Sequence, residues 1–157
     1  TKVLDDSRIV VGNDGWEFSS GDLRTMHLYN EESDVSSRLA ALIEDPHSSG
    51  TSEFGGRDRA GALPCADVSG SPILLTECGR IGMGSFSEED FSYGNLAETL
   101  EALETRMRKI MTVIRLLEVL QGLVWTQLTD VQQEINGLLY FDRQPKLPIA
   151  VLSDIFG

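Results

Sequence analysis

Basic residues are scarce in this chain. Its 13 Lys and Arg stand against 25 Asp and Glu, a formal net charge of -12. A surface that negative repels phosphate backbones and anionic lipid headgroups, so neither nucleic acid nor a membrane is expected as a partner. Histidine is scarcer still, with only His27 and His47. No group of Cys, His and acids has metal-ligand spacing, so no metal is expected, and no other cofactor. The two cysteines, Cys65 and Cys78, make no disulfide framework. One bridge, or two free thiols in a reducing compartment, fit them equally. Long apolar runs are missing too: no stretch reaches the roughly 18 uncharged residues of a membrane span. The opening TKVLDDSR has no apolar signal core. Together these absences read as a soluble chain, with the cytoplasm favoured. Gly79-Arg80-Ile81-Gly82-Met83-Gly84 is rich in glycine, but its spacing is not the dinucleotide fingerprint, so it is not read as a phosphate cradle.

What remains is a globular composition, 41% hydrophobic with five prolines in 157 residues. That is enough for one domain with a sizeable core and disfavours disorder. The β-branched run Arg8-Ile9-Val10-Val11-Gly12 stops at the turn signal Asn13-Asp14-Gly15 and predicts a buried strand. Residues 23–29 predict a second strand. Residues 34–44 predict a short helix with Val35, Leu39, Leu42 and Ile43 near one face. Residues 45–70, rich in Gly, Ser, Asp and Pro, predict a long loop. A third strand is expected at Ile73-Leu74-Leu75-Thr76. The clearest helix spans about 95–120, where Leu96, Leu100, Leu103, Met107, Ile110, Ile114 and Leu117 recur at spacings of four and three. Gly122 is expected to end it, Leu123-Val124-Trp125-Thr126 to form a fourth strand, and the tail from Pro145 to carry a last short helix. Strands alternating with helices imply parallel pairing through βαβ crossovers. The pattern leaves open whether the sheet is small and open or part of a larger closed one.

Each predicted strand ends in polar or aromatic side chains. Asn13, Asp14 and Trp16 follow the first, His27 and Tyr29 the second, Thr76 and Glu77 the third, and Trp125, Gln127 and Asp130 the fourth. In parallel α/β folds the C-terminal ends of strands share one pocket. Carboxylates, an imidazole, a phenol and an indole suit a sugar, whose ring stacks on an aromatic face while its hydroxyls take hydrogen bonds.

Pro72-Ile73-Leu74-Leu75-Thr76-Glu77-Cys78-Gly79 resembles the nucleophile strand of family 2 glycoside hydrolases. Gly122 through Asp130, then Gln133-Glu134, Asn136-Gly137, Tyr140 and Asp142-Arg143, resembles that family's last strand and loop. Asn13-Asp14-Gly15-Trp16 and the set Asp22, Leu23, His27 and Tyr29 are similar to its fifth and sixth strand ends. The resemblance spans about residues 8–146. It implies an α/β fold: the C-terminal half of a (β/α)8 barrel, about strands five to eight, making residues 1–157 a partial catalytic domain without the N-terminal half. It also implies a retaining double displacement on a β-galactoside, β-glucuronide or β-mannoside, with a small or oligosaccharide β-glycoside as partner. Glu77 matches the nucleophile and Tyr29 the residue that hydrogen-bonds it. His27 matches a pocket-lining histidine and Trp125 the aromatic platform. Asp14, Trp16 and Asp130 are placed at the pocket mouth as substrate contacts. The general acid belongs in the family to a strand that would precede Ile9. Cys78 stands where Phe or Tyr is usual, and Arg80 where Gly is common.

Each residue taken singly has a plainer explanation. Glu77 could be a solvated strand end, His27 a hydrogen-bonded structural histidine, Trp125 core, and Asp14 a turn residue. Cys78 paired with His27 as a nucleophile is disfavoured, because buried thiols are usually inert. Two further readings stand beside the enzyme: an inactive remnant that binds sugar weakly for want of its acid, and an interaction module built on the acidic surface.

Overall fold

The computed structural model describes residues 1–29, 37, 40–41, 44–45, 47, 59–83 and 96–157. Their regular elements, in order, are β1 (Arg24–Leu28), β2 (Ile73–Gly79), α1 (Leu100–Arg115), β3 (Leu120–Thr126) and α2 (Ile149–Phe156). The strands form one parallel sheet of three in the order β1-β2-β3. All five residues of β1 are buried, as expected of a strand covered on both faces. In β2 the burial alternates at first, with Ile73 and Leu75 inside. It then changes phase, so that Cys78 rather than Glu77 is buried. The cause is a slip in the parallel register: Met26 pairs with Leu75 but His27 pairs with Glu77, which leaves Thr76 without a partner. An extra residue on one strand re-aims every side chain beyond it.

The chain divides into two compact units: Thr1–Leu28, Ser36–Cys78 and Leu117–Val124 make the first, and Tyr29–Val35, Gly79–Leu116 and Trp125–Gly157 the second. In the first unit Phe18 packs with Ala62, Ala66 and Val68. Phe18 and Ala62 also form an isolated parallel bridge. Burying such a phenyl ring stabilises the fold by roughly 1.5–3 kcal/mol. In the second unit Thr99 caps α1, its hydroxyl accepting from the Ala102 N–H at 3.1 Å. Glu101 in the first turn and Arg115 in the last complement the helix dipole. Leu103, Met107, Ile110, Met111 and Ile114 form its buried face. Two bonds tie α1 to α2: Arg108 to Asp154 at 2.7 Å, and the Arg115 guanidinium to the Ile155 carbonyl at 2.8 Å.

The half-barrel expectation is overturned. Among the described residues the sheet has three strands and two open edges. A barrel needs each strand bonded on both sides with a consistent stagger, and the (β/α)8 type needs about eight strands. The expected strand at Arg8–Gly12 does not join the sheet. Ile9 and Val11 are exposed. The backbone of Val10 is instead spent on Asp22, its N–H donating to the Asp22 carboxylate at 2.7 Å and its carbonyl accepting from the Asp22 N–H at 2.8 Å. Gly122 does not end a helix; it lies inside β3, where a Cβ would stand 3.3 Å from Leu74 Cδ2. α1 stops at its cap residue Leu116, so Leu117 lies beyond it. Of the helix expected over 34–44, residues 37, 40, 41 and 44 are helical, while its apolar positions lie outside the described residues. In the expected loop, residues 59–70 form turns and the Ala62 bridge. No helix among the described residues is long and apolar enough to cross a membrane.

Candidate functional site

Four of the expected site residues meet in the first unit. His27, near the C-terminal end of β1, is 8% exposed. Its Nε2 lies 3.2 Å from Asp14 Oδ2 and its Nδ1 lies 3.4 Å from Glu77 Oε2. A neutral imidazole can donate to only one carboxylate; donating to both requires the imidazolium. The Trp16 ring meets the imidazole edge-on, centroids 4.8 Å apart at 77°. Glu77 keeps 34% of its side chain exposed, so its carboxylate reaches solvent beside a buried ring.

The Asn13–Trp16 turn presses Asp14 into this position. Asn13 Nδ2 donates to the Trp16 carbonyl at 2.6 Å. The Gly15 N–H donates to Thr25 Oγ1 at 2.8 Å, and that hydroxyl donates to the Asn13 carbonyl at 3.2 Å. Gly15 has φ +87°, and a Cβ there would stand 2.6 Å from the His27 ring; only glycine allows both the conformation and the approach. Thr76, freed by the register slip, donates its hydroxyl to Asp14 Oδ1 at 2.7 Å. Burial pushes the Asp14 carboxyl up, but the hydrogen bond from Thr76 and the nearness of His27 oppose it, and the group is held below its ordinary value. Arg59 sits over the Trp16 ring at 5.0 Å. The roles of Thr76 and Arg59 leave no mark in the sequence, whereas that of Thr25 is signalled by the Asn-Asp-Gly turn it braces.

The other expected residues belong to the second unit. The Arg80 guanidinium covers the Tyr29 ring at 3.7 Å, a cation–π arrangement. Gly79 has φ +95°, and a Cβ there would run into the Trp125 indole, so the glycine lets β2 end against that ring. Trp125 meets Phe156 edge-on at 5.3 Å. Asp130, expected at the pocket mouth, is buried and engaged: it accepts from Lys146 Nζ at 2.7 Å and from the Gly137 N–H at 2.7 Å. Lys146 also donates to the Ile135 carbonyl at 2.8 Å. Burial pulls Lys146 below its ordinary value, opposed by Asp130. Asn136 is buried beside this pair.

Cys65 and Cys78 are both free thiols. Burial pushes the Cys78 thiol up to about 12, so it stays protonated at neutral pH and makes a poor nucleophile. Among the described residues no cluster of His, Cys and acids could hold a metal ion.

No family model and no curated protein matches the chain. Solved structures do resemble it. A family 2 β-galacturonidase from Eisenbergiella tayi bound to glycerol shares 16% identity at a TM-score of 0.63, over 98% of this chain and 27% of its own. The galacturonate-bound form of that enzyme gives 0.58 at 16% identity, over 86% and 23%. A β-glucuronidase from Ruminococcus gnavus in complex with D-glucuronic acid gives 0.53 at 15% identity, over 85% and 22%. At such identities the likeness is one of fold. The chain spans about a quarter of the length of these solved proteins.

Proposed function

We propose that this chain carries part of the sugar site of a glycoside hydrolase resembling family 2, and that Glu77 is its nucleophile. One observation carries the reading: Glu77, a carboxylate open to solvent, stands 3.4 Å from the imidazole of a buried histidine whose other nitrogen faces Asp14. The likeness in fold to glycuronidases and the ordered motifs at the strand ends support it.

In this reading a Glu77 oxygen attacks the anomeric carbon while the bond to the leaving oxygen breaks. A carboxylic acid, which the resemblance puts on an earlier strand, protonates that oxygen. The same group then deprotonates water, which attacks the anomeric carbon and releases Glu77 from the glycosyl ester. His27 orients the Glu77 carboxylate, and Asp14 orients His27. The resemblance gives Tyr29 the role of a hydrogen-bond donor and Trp125 that of an aromatic platform for a sugar ring. Because the solved neighbours are a β-galacturonidase and a β-glucuronidase, β-glycuronides are the first substrates to try, ahead of β-galactosides and β-mannosides.

The test is hydrolysis of nitrophenyl β-glucuronide, β-galacturonide and β-galactoside by the protein that contains this chain and by its Glu77→Gln variant. Removing a nucleophile that acts within a catalytic unit lowers kcat by on the order of 10³-fold or more. Equal rates in the two proteins would remove Glu77 from the mechanism.

A further inference from the structure

Arg24 opens β1, three residues before His27, and is only 6% exposed. Its Nε makes no hydrogen bond. Burial pulls its basicity below the ordinary value. Proteins rarely bury a guanidinium without a counter-charge, because desolvation is costly and only a paired anion offsets it. Here the chain is strongly acidic overall, yet no described residue forms an ion pair with this cation.

Arg24 lines an open cavity of about 670 Å³ together with Glu44, Val68, Pro72, Val119 and Gln121. Small-molecule sites commonly measure about 300–1,000 Å³, and a lone carboxylate side chain would leave most of this volume empty. Val68, Pro72 and Val119 supply apolar surface, Gln121 a neutral amide and Arg24 the cation. Glu44 adds a negative charge to the same lining, which disfavours a multiply charged ligand and leaves room for a single carboxylate. We propose that this cavity binds a small organic monocarboxylate, with the carboxylate taken by Arg24 and the apolar body laid against Val68, Pro72 and Val119. The planar fork of a guanidinium suits a carboxylate in bidentate geometry. This site is independent of the sugar chemistry at Glu77.

The probe is benzoate, with uncharged benzamide and inorganic phosphate as controls, added to the protein that contains this chain. Thermal unfolding and equilibrium dialysis follow binding. Benzoate well above its Kd raises Tm by about 2–8 °C; benzamide and phosphate leave it in place. Arg24→Met abolishes the benzoate shift and holds or raises Tm in plain buffer, since it removes an uncompensated charge. Val119→Glu, a change in an exposed turn, weakens benzoate at least about tenfold by adding a second negative charge, and carries the test should Arg24→Met fail to fold. Equal shifts with benzamide, phosphate binding as tight as benzoate, or benzoate binding that survives both substitutions would each overturn the proposal. So would a wild-type protein indifferent to benzoate alongside an Arg24→Met variant of lowered Tm, which would mean that an acidic side chain already satisfies Arg24.

Discussion

His27 faces Glu77 because Thr76 is skipped in the pairing of β1 with β2: Met26 pairs with Leu75 and the next residue, His27, pairs with Glu77. Without that slip His27 would pair with Thr76, and the alternation of a strand would send Glu77 and the imidazole apart. The contact of 3.4 Å between them is a product of register, and so is the hydroxyl that Thr76 turns toward Asp14.

If His27 orients the nucleophile, His27→Asn keeps a polar side chain but loses the reach to both carboxylates. Hydrolysis of a nitrophenyl β-glycuronide is expected to fall by roughly 10²-fold in kcat, with KM little changed. A fall confined to KM would make His27 a sugar contact instead of a positioning residue.

Thr76→Val removes the hydrogen bond of 2.7 Å that helps hold Asp14 ionised. The Asp14 carboxyl then titrates higher than in the wild type, measurable by NMR across an acid titration. The sign follows from linkage. A carboxyl depressed in the folded state adds stability above its unfolded value of 3.8 and loses it as pH falls through the folded value. The wild type therefore keeps this contribution at neutral pH and sheds it below about pH 4. In Thr76→Val the contribution is smaller, so the two stability curves converge in strong acid. Curves that remain parallel down to pH 2 would show that Thr76 does not act through Asp14.

Asp130 and Lys146 form a buried pair, their side chains 8% and 1% exposed. Truncating one partner leaves a buried charge uncompensated. Lys146→Met alone is expected to cost about 3–5 kcal/mol, while Asp130→Asn combined with Lys146→Met recovers much of it. Denaturant unfolding of the two single variants and the double variant measures the coupling. Additive losses would mean that the pair is not coupled.

Cys65 is exposed and Cys78 is buried. Under native conditions at pH 8, iodoacetamide is expected to add once, at Cys65, and a second time only after unfolding; intact mass and peptide mapping read this. Cys78 also predicts a trend at high pH. Its folded thiol titrates at about 12 against an ordinary 9.0, so the stability gained by keeping it neutral is complete below pH 9 and fades as pH climbs from there toward 12. Cys78→Ala should flatten that part of the curve, though it also loses packing.

What the sequence by itself determined is what the backbone reads locally. The segments 23–29, 73–76 and 123–126 hold the three strands or lie within them, and the four-and-three spacing of Leu103, Met107, Ile110 and Ile114 gives the buried face of α1. These follow because strand and helix periods bind neighbouring residues to one face. Glu77 and His27 could be picked out as strand-end residues for the same reason. Arg8–Gly12 has the composition of a strand too, but a strand forms only where a partner's backbone is free, and Asp22 takes those groups first. Whether a sheet closes depends likewise on hydrogen bonds between distant segments, which is why periodicity left closure open and the half-barrel implied by the resemblance gives way, among the described residues, to three strands with open edges. The slip at Thr76, the bond from Thr76 to Asp14 62 residues away, the burial of Asp130 against Lys146 and the burial of Arg24 were decided by tertiary structure alone. Each depends on which remote groups reach the same few ångströms, and no local pattern encodes that meeting.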